Sequence, residues 1–244
     1  MRRPAARKRP KPKREATAAL AGRLTGALPL PPADAARRMS DWLAGIKADA
    51  AGKALRKIIG EHPKLAELLA GIADAAPYLW DLVRADLARL TRLVASDPDE
   101  ALAACLAETH PKAAAARDAD KLMRVLRRMK AEAALLIALA DIGGVWPVAR
   151  VTRALTDVAE SALGIAVHHL LHDAARRGKL KAPDPKHPES GSGYIVLAMG
   201  KMGGHELNFS SDIDLMVFFD PAVARLTPKL EPQQFYVRIT RDLV

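Results

Sequence analysis

Two aspartates one residue apart, Asp212 and Asp214, follow Ser210 and Ser211 and lead into the apolar run Leu215-Met216-Val217-Phe218-Phe219. If a strand starts at Asp212, side-chain alternation projects both carboxylates from one face. Their Cα atoms then lie about 6.6 Å apart, since the rise is about 3.3 Å per residue. Like charges at the mouth of a buried strand repel each other and resist desolvation unless a cation neutralises them. Oxygen-only ligands at this spacing favour a hard ion, Mg²⁺, held jointly by protein carboxylates and substrate phosphates. Upstream, Gly203-Gly204 and Ser210-Ser211 offer backbone N–H groups and hydroxyls to phosphate oxygens, and Lys201 is a candidate contact for a nucleotide phosphate. A solitary Asp-x-Asp is more often a strand start with exposed acids, so its context decides.

That context is two short apolar runs joined by a glycine-rich loop. Residues 194–199 and 213–219 contain β-branched Ile195, Val196, Ile213 and Val217 and are bounded by glycine, aspartate and Asp220-Pro221. Apolar on both faces, they read as buried strands that pair in one sheet. Asp212 and Asp214 are expected to open into a cleft between this sheet and the preceding helices. Before the strands, residues 181–193 carry Pro183, Pro185, Pro188, Gly191 and Gly193 and read as a linker. Residues 16–180 show no strand-like alternation and are punctuated by prolines, including Pro63, Pro77, Pro98, Pro111 and Pro147, as in a helical array. One helix begins near Asp118, with Leu122, Val125, Leu126, Met129, Ala133, Leu136, Ile137 and Ala140 on its apolar stripe, and ends at Gly143-Gly144. Another spans about 148–177 and stops at Gly178. Shorter helices are expected at 40–59 (capped by Ser40), 64–73 and 77–94, and a last one at 233–244 with Tyr236, Ile239 and Leu243 on one stripe.

Composition narrows the class. Of the net charge of +10, eight charges come from the first 14 residues, so 1–15 reads as a solvated basic tail on a nearly neutral body. Aromatic residues are 4% of the 244 and alanine is abundant, which suits packed helices rather than a β-sandwich. The single cysteine excludes an internal disulfide framework and Cys-pair zinc sites, and fits a cytoplasmic protein. No uncharged stretch approaches the roughly 18 residues of a membrane span.

The stretch Gly200-Lys-Met-Gly-Gly-His-Glu-Leu-Asn-Phe-Ser-Ser-Asp-Ile-Asp-Leu215 resembles the nucleotidyltransferase core, and more specifically the glutamine-synthetase adenylyltransferase family, with Met202 as its visible departure. The helix carrying Arg124, Arg127 and Arg128 is similar to that family's Arg-rich helix, and the resemblance covers about residues 75–244. It implies an α+β fold, an N-terminal helical array followed by an incomplete nucleotidyltransferase-type α/β core. It implies addition of AMP to, or removal from, a tyrosine of glutamine synthetase, with Asp212 and Asp214 as Mg²⁺-binding catalytic residues and Lys201, Gly203, Gly204, Ser210 and Ser211 at the nucleotide. The substrates would be ATP or ADP, or the AMP-tyrosine linkage and phosphate; the partners, glutamine synthetase and a PII-type nitrogen-signalling protein. The position after one helical array points to the phosphorolytic, adenylyl-removing half. The family pattern's third carboxylate is not reached before Val244, so the chain reads as truncated and weakly active alone. Asp220 lies too close in sequence to replace it.

His168, His169 and His172 lack the interposed Glu and the third ligand of a helix-borne zinc site. His205 occupies a variable position of the pattern, while Glu206 and Asn208 are expected to brace the loop. The alternatives are an RNA-directed nucleotidyltransferase, disfavoured by the nearly neutral body, and a non-catalytic helical interaction module.

Overall fold

The computed structural model describes residues 19–25, 33–228 and 230–244; the basic tail 1–15 lies outside them. In chain order the elements are α1 (Leu20–Arg23), α2 (Ala33–Gly45), α3 (Ala50–Glu61), α4 (Pro63–Ala75), α5 (Pro77–Ala85), α6 (Leu87–Ala95), α7 (Pro98–Ala114), α8 (Ala119–Ile142), α9 (Val148–Arg176), β1 (Tyr194–Ala198), α10 (Gly200–Gly203), β2 (Leu215–Phe219) and α11 (Pro232–Leu243). The fold is α+β, as expected. No helix of the described residues is long and apolar enough to cross a membrane.

α8 starts where Asp118 accepts the Lys121 N–H at 2.8 Å, satisfying one of the orphan donors of its first turn. Its C-terminal half is buried almost all round, with Leu135, Leu136, Ile137 and Leu139 fully inaccessible. These side chains, with Leu65 and Leu69 of α4 and Leu90 and Leu93 of α6, form the main core. α9 then links three apolar clusters. Val151 and Ala154 join the main core, Ile165 packs with Ala113 and Leu122, and Leu171 and Ala174 pack with Phe235, Tyr236 and Ile239 of α11. The small sheet therefore stands on the end of a helix rooted in the helical body.

Three helix boundaries differ from expectation. The helix expected at 40–59 is two: Ser40 lies inside α2, and α3 has its own cap, Asp49, which accepts the Gly52 N–H at 2.9 Å. The helix expected at 77–94 is likewise divided, because Asp86 is extended and caps α6 through the Arg89 N–H. Pro111 interrupts nothing and lies within α7, close enough to its C-terminus that only one further turn follows. Local polar capping outweighed continuous apolar spacing in the first two cases.

β1 and β2 pair antiparallel, Tyr194 opposite Phe219 and Ala198 opposite Leu215. The expected pairing holds, but the strands are not buried on both faces. Tyr194, Val196 and Phe219 turn inward, whereas Ile195, Leu197, Met216 and Phe218 each remain 43–48% exposed. The inner face rests on Tyr236, which stacks on Phe219 (centroids 5.0 Å) and Tyr194 (5.7 Å) and donates its hydroxyl to the Ser192 carbonyl. Residues 181–193 contain no helix or strand, yet they are held. Ser192 is fully buried, and Leu180 bridges to Leu226 across the Lys181 N–H to Arg225 carbonyl bond of 2.8 Å.

Two measurements test this packing. Tyr236→Phe should cost about 1–3 kcal/mol in urea unfolding, because it leaves a buried carbonyl without its donor. Leu136→Ala, which opens a cavity in the main core, should cost about 2–5 kcal/mol. Cys105 is 7% exposed, and burial, aided by Glu132, pushes its thiol up to about 12. Iodoacetamide at about pH 8 should therefore leave the native chain unmodified and alkylate it rapidly once unfolded.

Candidate active site

The loop between the strands is built by backbone constraints. The Met199 N–H donates to the Asp214 carbonyl at 2.9 Å, carrying the ladder one residue beyond β1 and setting Asp214 opposite Met199. The next residue, Gly200, has φ +52°, and a Cβ there would lie 2.9 Å from Asp214 Oδ2. Glycine thus meets the dihedral demand and leaves a seat for the carboxylate. α10 reverses the chain. At its end a Cβ on Gly203 would fall 2.5 Å from the Ala198 carbonyl oxygen, so this glycine allows the turn to close against β1. Buried Met202 and Leu207 pin the loop from either end.

The loop's backbone donors are engaged internally. Gly203 N–H bonds the Met199 carbonyl (3.0 Å) and Gly204 N–H the Gly200 carbonyl (3.1 Å), so these groups close α10 instead of forming the open phosphate cradle expected from sequence. Asn208 organises the serines as an Asx turn. Its Oδ1 accepts from Ser210 N (3.0 Å), Ser210 Oγ (3.2 Å) and Ser211 Oγ (2.9 Å), while its own N–H donates to Ser211 Oγ at 3.1 Å. The expected bracing by Asn208 is present. Lys201 is exposed on α10, and its carbonyl accepts the Glu206 N–H at 2.7 Å.

Asp212 and Asp214 are both exposed. β2 begins only at Leu215, so the alternation argument loses its strand at Asp212 and holds for Asp214 alone. By register Asp214 shares the outer face with Met216 and Phe218, opposite Ile195, Leu197 and Met199. The cleft expected between sheet and helices lies on the other face. There, a cavity of about 1490 Å³ is lined by Val196, Ala198 and Met202 with Leu163 and Val167 of α9, and neither aspartate lines it. Asp214 instead occupies the rim of an open apolar surface, and both carboxylates are in contact with water.

His205, set aside from sequence, brings the loop near the helical body. Among the described residues it is the one non-glycine residue with positive φ (57°), and its Nδ1 lies 3.8 Å from Glu160 Oε1 on α9. Its neighbour Gly204 offered no clue, and the unusual dihedral is a property of the folded loop alone. On α9, His168 bonds Glu189 Oε2 at 3.0 Å and stacks on His172, and His187 reaches Glu189 Oε1 at 3.3 Å. Burial pushes the Glu189 carboxyl up, but hydrogen bonds from the backbone and both histidines outweigh it and hold its pKa below the ordinary carboxylate value. His168 thus holds residues 187–189 to α9 through Glu189. Among the described residues no group of three or more His, Cys, Asp or Glu is arranged to hold a metal ion. Arg124, Arg127 and Arg128 line a separate groove with Lys112 and Lys121.

Comparison with known proteins bears on this loop. A family model described as glutamate-ammonia ligase adenylyltransferase matches residues 52–244, beginning earlier than the motif resemblance. The chain is 56% identical over 207 residues to a bifunctional glutamine synthetase adenylyltransferase/adenylyl-removing enzyme of Bradyrhizobium diazoefficiens, covering 85% of this chain and 21% of that protein. Identically named proteins of Rhodopseudomonas palustris (51%, covering 87% and 21%) and Xanthobacter autotrophicus (48%, covering 78% and 19%) are also similar. The chain thus spans about a fifth of the length of the curated relatives it matches.

The two adjacent glycines should respond differently to substitution. Gly203→Ala drives a Cβ into the Ala198 carbonyl and should lower stability by about 1–3 kcal/mol. Gly204→Ala meets nothing nearer than 3.6 Å and should be close to neutral. Thermal unfolding of both variants checks the assignment.

Proposed function

This chain belongs to the glutamate-ammonia ligase adenylyltransferase family, and on that premise we propose that it carries a nucleotidyl-transfer site of the adenylyl-removing kind, acting on the AMP-tyrosine linkage of glutamine synthetase. The observation that carries the reading is the seating of the Asp214 carboxylate over Gly200 at the open outer rim of the sheet, at the end of the loop in which Asn208 orders the two serines.

The donor set suits a hard cation. Asp212 and Asp214 present only oxygens, in water-accessible positions, and Gly200 leaves the seat that the Asp214 carboxylate occupies. Asp212 and Asp214 would hold Mg²⁺ together with substrate phosphate oxygens, and the ion would supply neutralisation of charge at the adenylyl phosphoryl group. Phosphate attacks the adenylyl phosphorus, the bond from phosphorus to the tyrosine oxygen breaks, and ADP and free tyrosine result. The proton lost by the attacking phosphate ends on the tyrosine oxygen. The protein's part is positioning. Lys201 lies on the exposed side of α10, where it would meet a phosphate. Ser210 and Ser211 can exchange their bonds to Asn208 for bonds to phosphate oxygens. Exposed Ile195, Leu197 and Phe218 offer an apolar floor for flat rings. Glutamine synthetase is the proposed protein substrate, met in the cytoplasm, with a PII-type protein as proposed regulator.

The test uses a protein carrying this chain at the full length of its relatives, mixed with adenylylated glutamine synthetase, phosphate and Mg²⁺, and follows ADP. Asp212→Asn and Asp214→Asn should each lower the rate by about a hundredfold or more, as when a preorganised charge-stabilising group is lost. Undiminished turnover in Asp214→Asn would remove the seated carboxylate from the chemistry.

A further inference from the structure

The arginines singled out from the sequence find no place in the candidate active site. They line a groove of about 500 Å³ between the end of α7 and the first half of α8, within the size range of small-ligand sites. Its walls carry five cationic side chains, Lys112, Lys121, Arg124, Arg127 and Arg128, all exposed, and no carboxylate. Ala115, Ala116 and Val125 form its small apolar floor.

Three acids near the groove are already engaged. Glu108 pairs with Lys112 at 2.9 Å, Asp118 caps α8 and lies 3.5 Å from Lys121, and Glu132, one turn beyond Arg128, pairs with Arg92 at 2.8 Å. Arg124, Arg127 and Arg128 form no ion pair among the described residues, although Asp118 feels the charge of Arg124. Three guanidinium groups without an ion-pair partner among the described residues thus share about one turn of helix. Arg124 and Arg128, at i and i+4, are about 5–6 Å apart at Cβ. Guanidinium forks pair with phosphate or carboxylate oxygens in the same bidentate way. A single carboxylate cannot neutralise three of them, whereas a di- or triphosphate carries comparable negative charge within a compact length. The absence of aromatic side chains from the lining argues against stacked nucleic-acid bases.

We propose that the α7–α8 groove is a second binding site, independent of the Asp212/Asp214 rim, for a small molecule carrying clustered phosphate groups. Arg124 and Arg128 grip the phosphates, Arg127, Lys112 and Lys121 supply surrounding charge, and the Ala115-Ala116-Val125 floor accommodates the remainder of the ligand.

The test titrates inorganic tripolyphosphate into the ¹⁵N-labelled 244-residue chain and follows the amides of Ala115, Ala116 and Val125, which separates the groove from the basic N-terminus. EDTA is present throughout, so metal-dependent binding at Asp212 and Asp214 does not contribute. The expected result is a saturable shift of these amides. The Arg124→Ala/Arg128→Ala double variant should weaken it about tenfold or more, and Arg241→Ala on α11 should leave it unchanged. Both variants alter exposed residues, and their thermal unfolding should match that of the parent. Shifts that fail to saturate, or that survive the double variant, overturn the proposal. So does a single-stranded oligonucleotide that shifts the same amides at lower concentration, which would give the groove to nucleic acid.

Discussion

The sheet depends on the burial of Tyr236. A two-stranded antiparallel pair is at best marginally stable in water, and β1 and β2 have an apolar partner on one face only. Tyr236 supplies it, stacking on a ring from each strand while its hydroxyl satisfies the buried carbonyl of Ser192. Through that contact α11, both strands and residues 181–193 form one unit on the C-terminal half of α9. α9 carries the constraint back to the main core through Val151 and Ala154. The position of the glycine loop is therefore set by packing far from the loop.

With its base held in this way, the loop satisfies its own backbone. Met199, Gly203, Gly204, Glu206 and Ser211 all direct their N–H groups to carbonyls within the loop or on Asp214. The groups left facing water are the ones suited to chemistry: two carboxylates, a lysine and a pair of hydroxyls that an asparagine holds. This arrangement is ordered without being buried. Charged ligands can approach it without first desolvating the aspartates, and exposure keeps the repulsion between those carboxylates small.

Much of the architecture was legible in the sequence. Asp118 before an apolar stripe, the Gly143-Gly144 stop and the Pro147 and Gly178 limits describe α8 and α9 closely, because long amphipathic helices carry both periodicity and end signals. The break at Asp86 and the cap at Asp49 were hidden because an aspartate between apolar turns reads equally as a solvent-facing helical residue. The strands were visible as apolar runs, but composition could not reveal that only one face would be covered. In the sequence Gly203 and Gly204 read as offering N–H groups to phosphate, whereas in the fold those groups close the turn, a Cβ at Gly203 would strike the Ala198 carbonyl, and Gly200 takes a positive φ.

By itself, then, the sequence determined the helical array, the two strands, the family and the pairing of aspartates, serines and glycines in one loop, because each of these rests on the order of residue types along the chain. Tertiary structure decided which face of the sheet carries Asp214, that a cavity of about 1490 Å³ lies on the opposite face, that His168 holds Glu189, and that the arginines of α8 line a groove of their own. These depend on which distant segments meet. Alternation along a strand states that Asp214 and Met216 lie together, but only the packing of α9 and Tyr236 against the other side decides that their face is the open one.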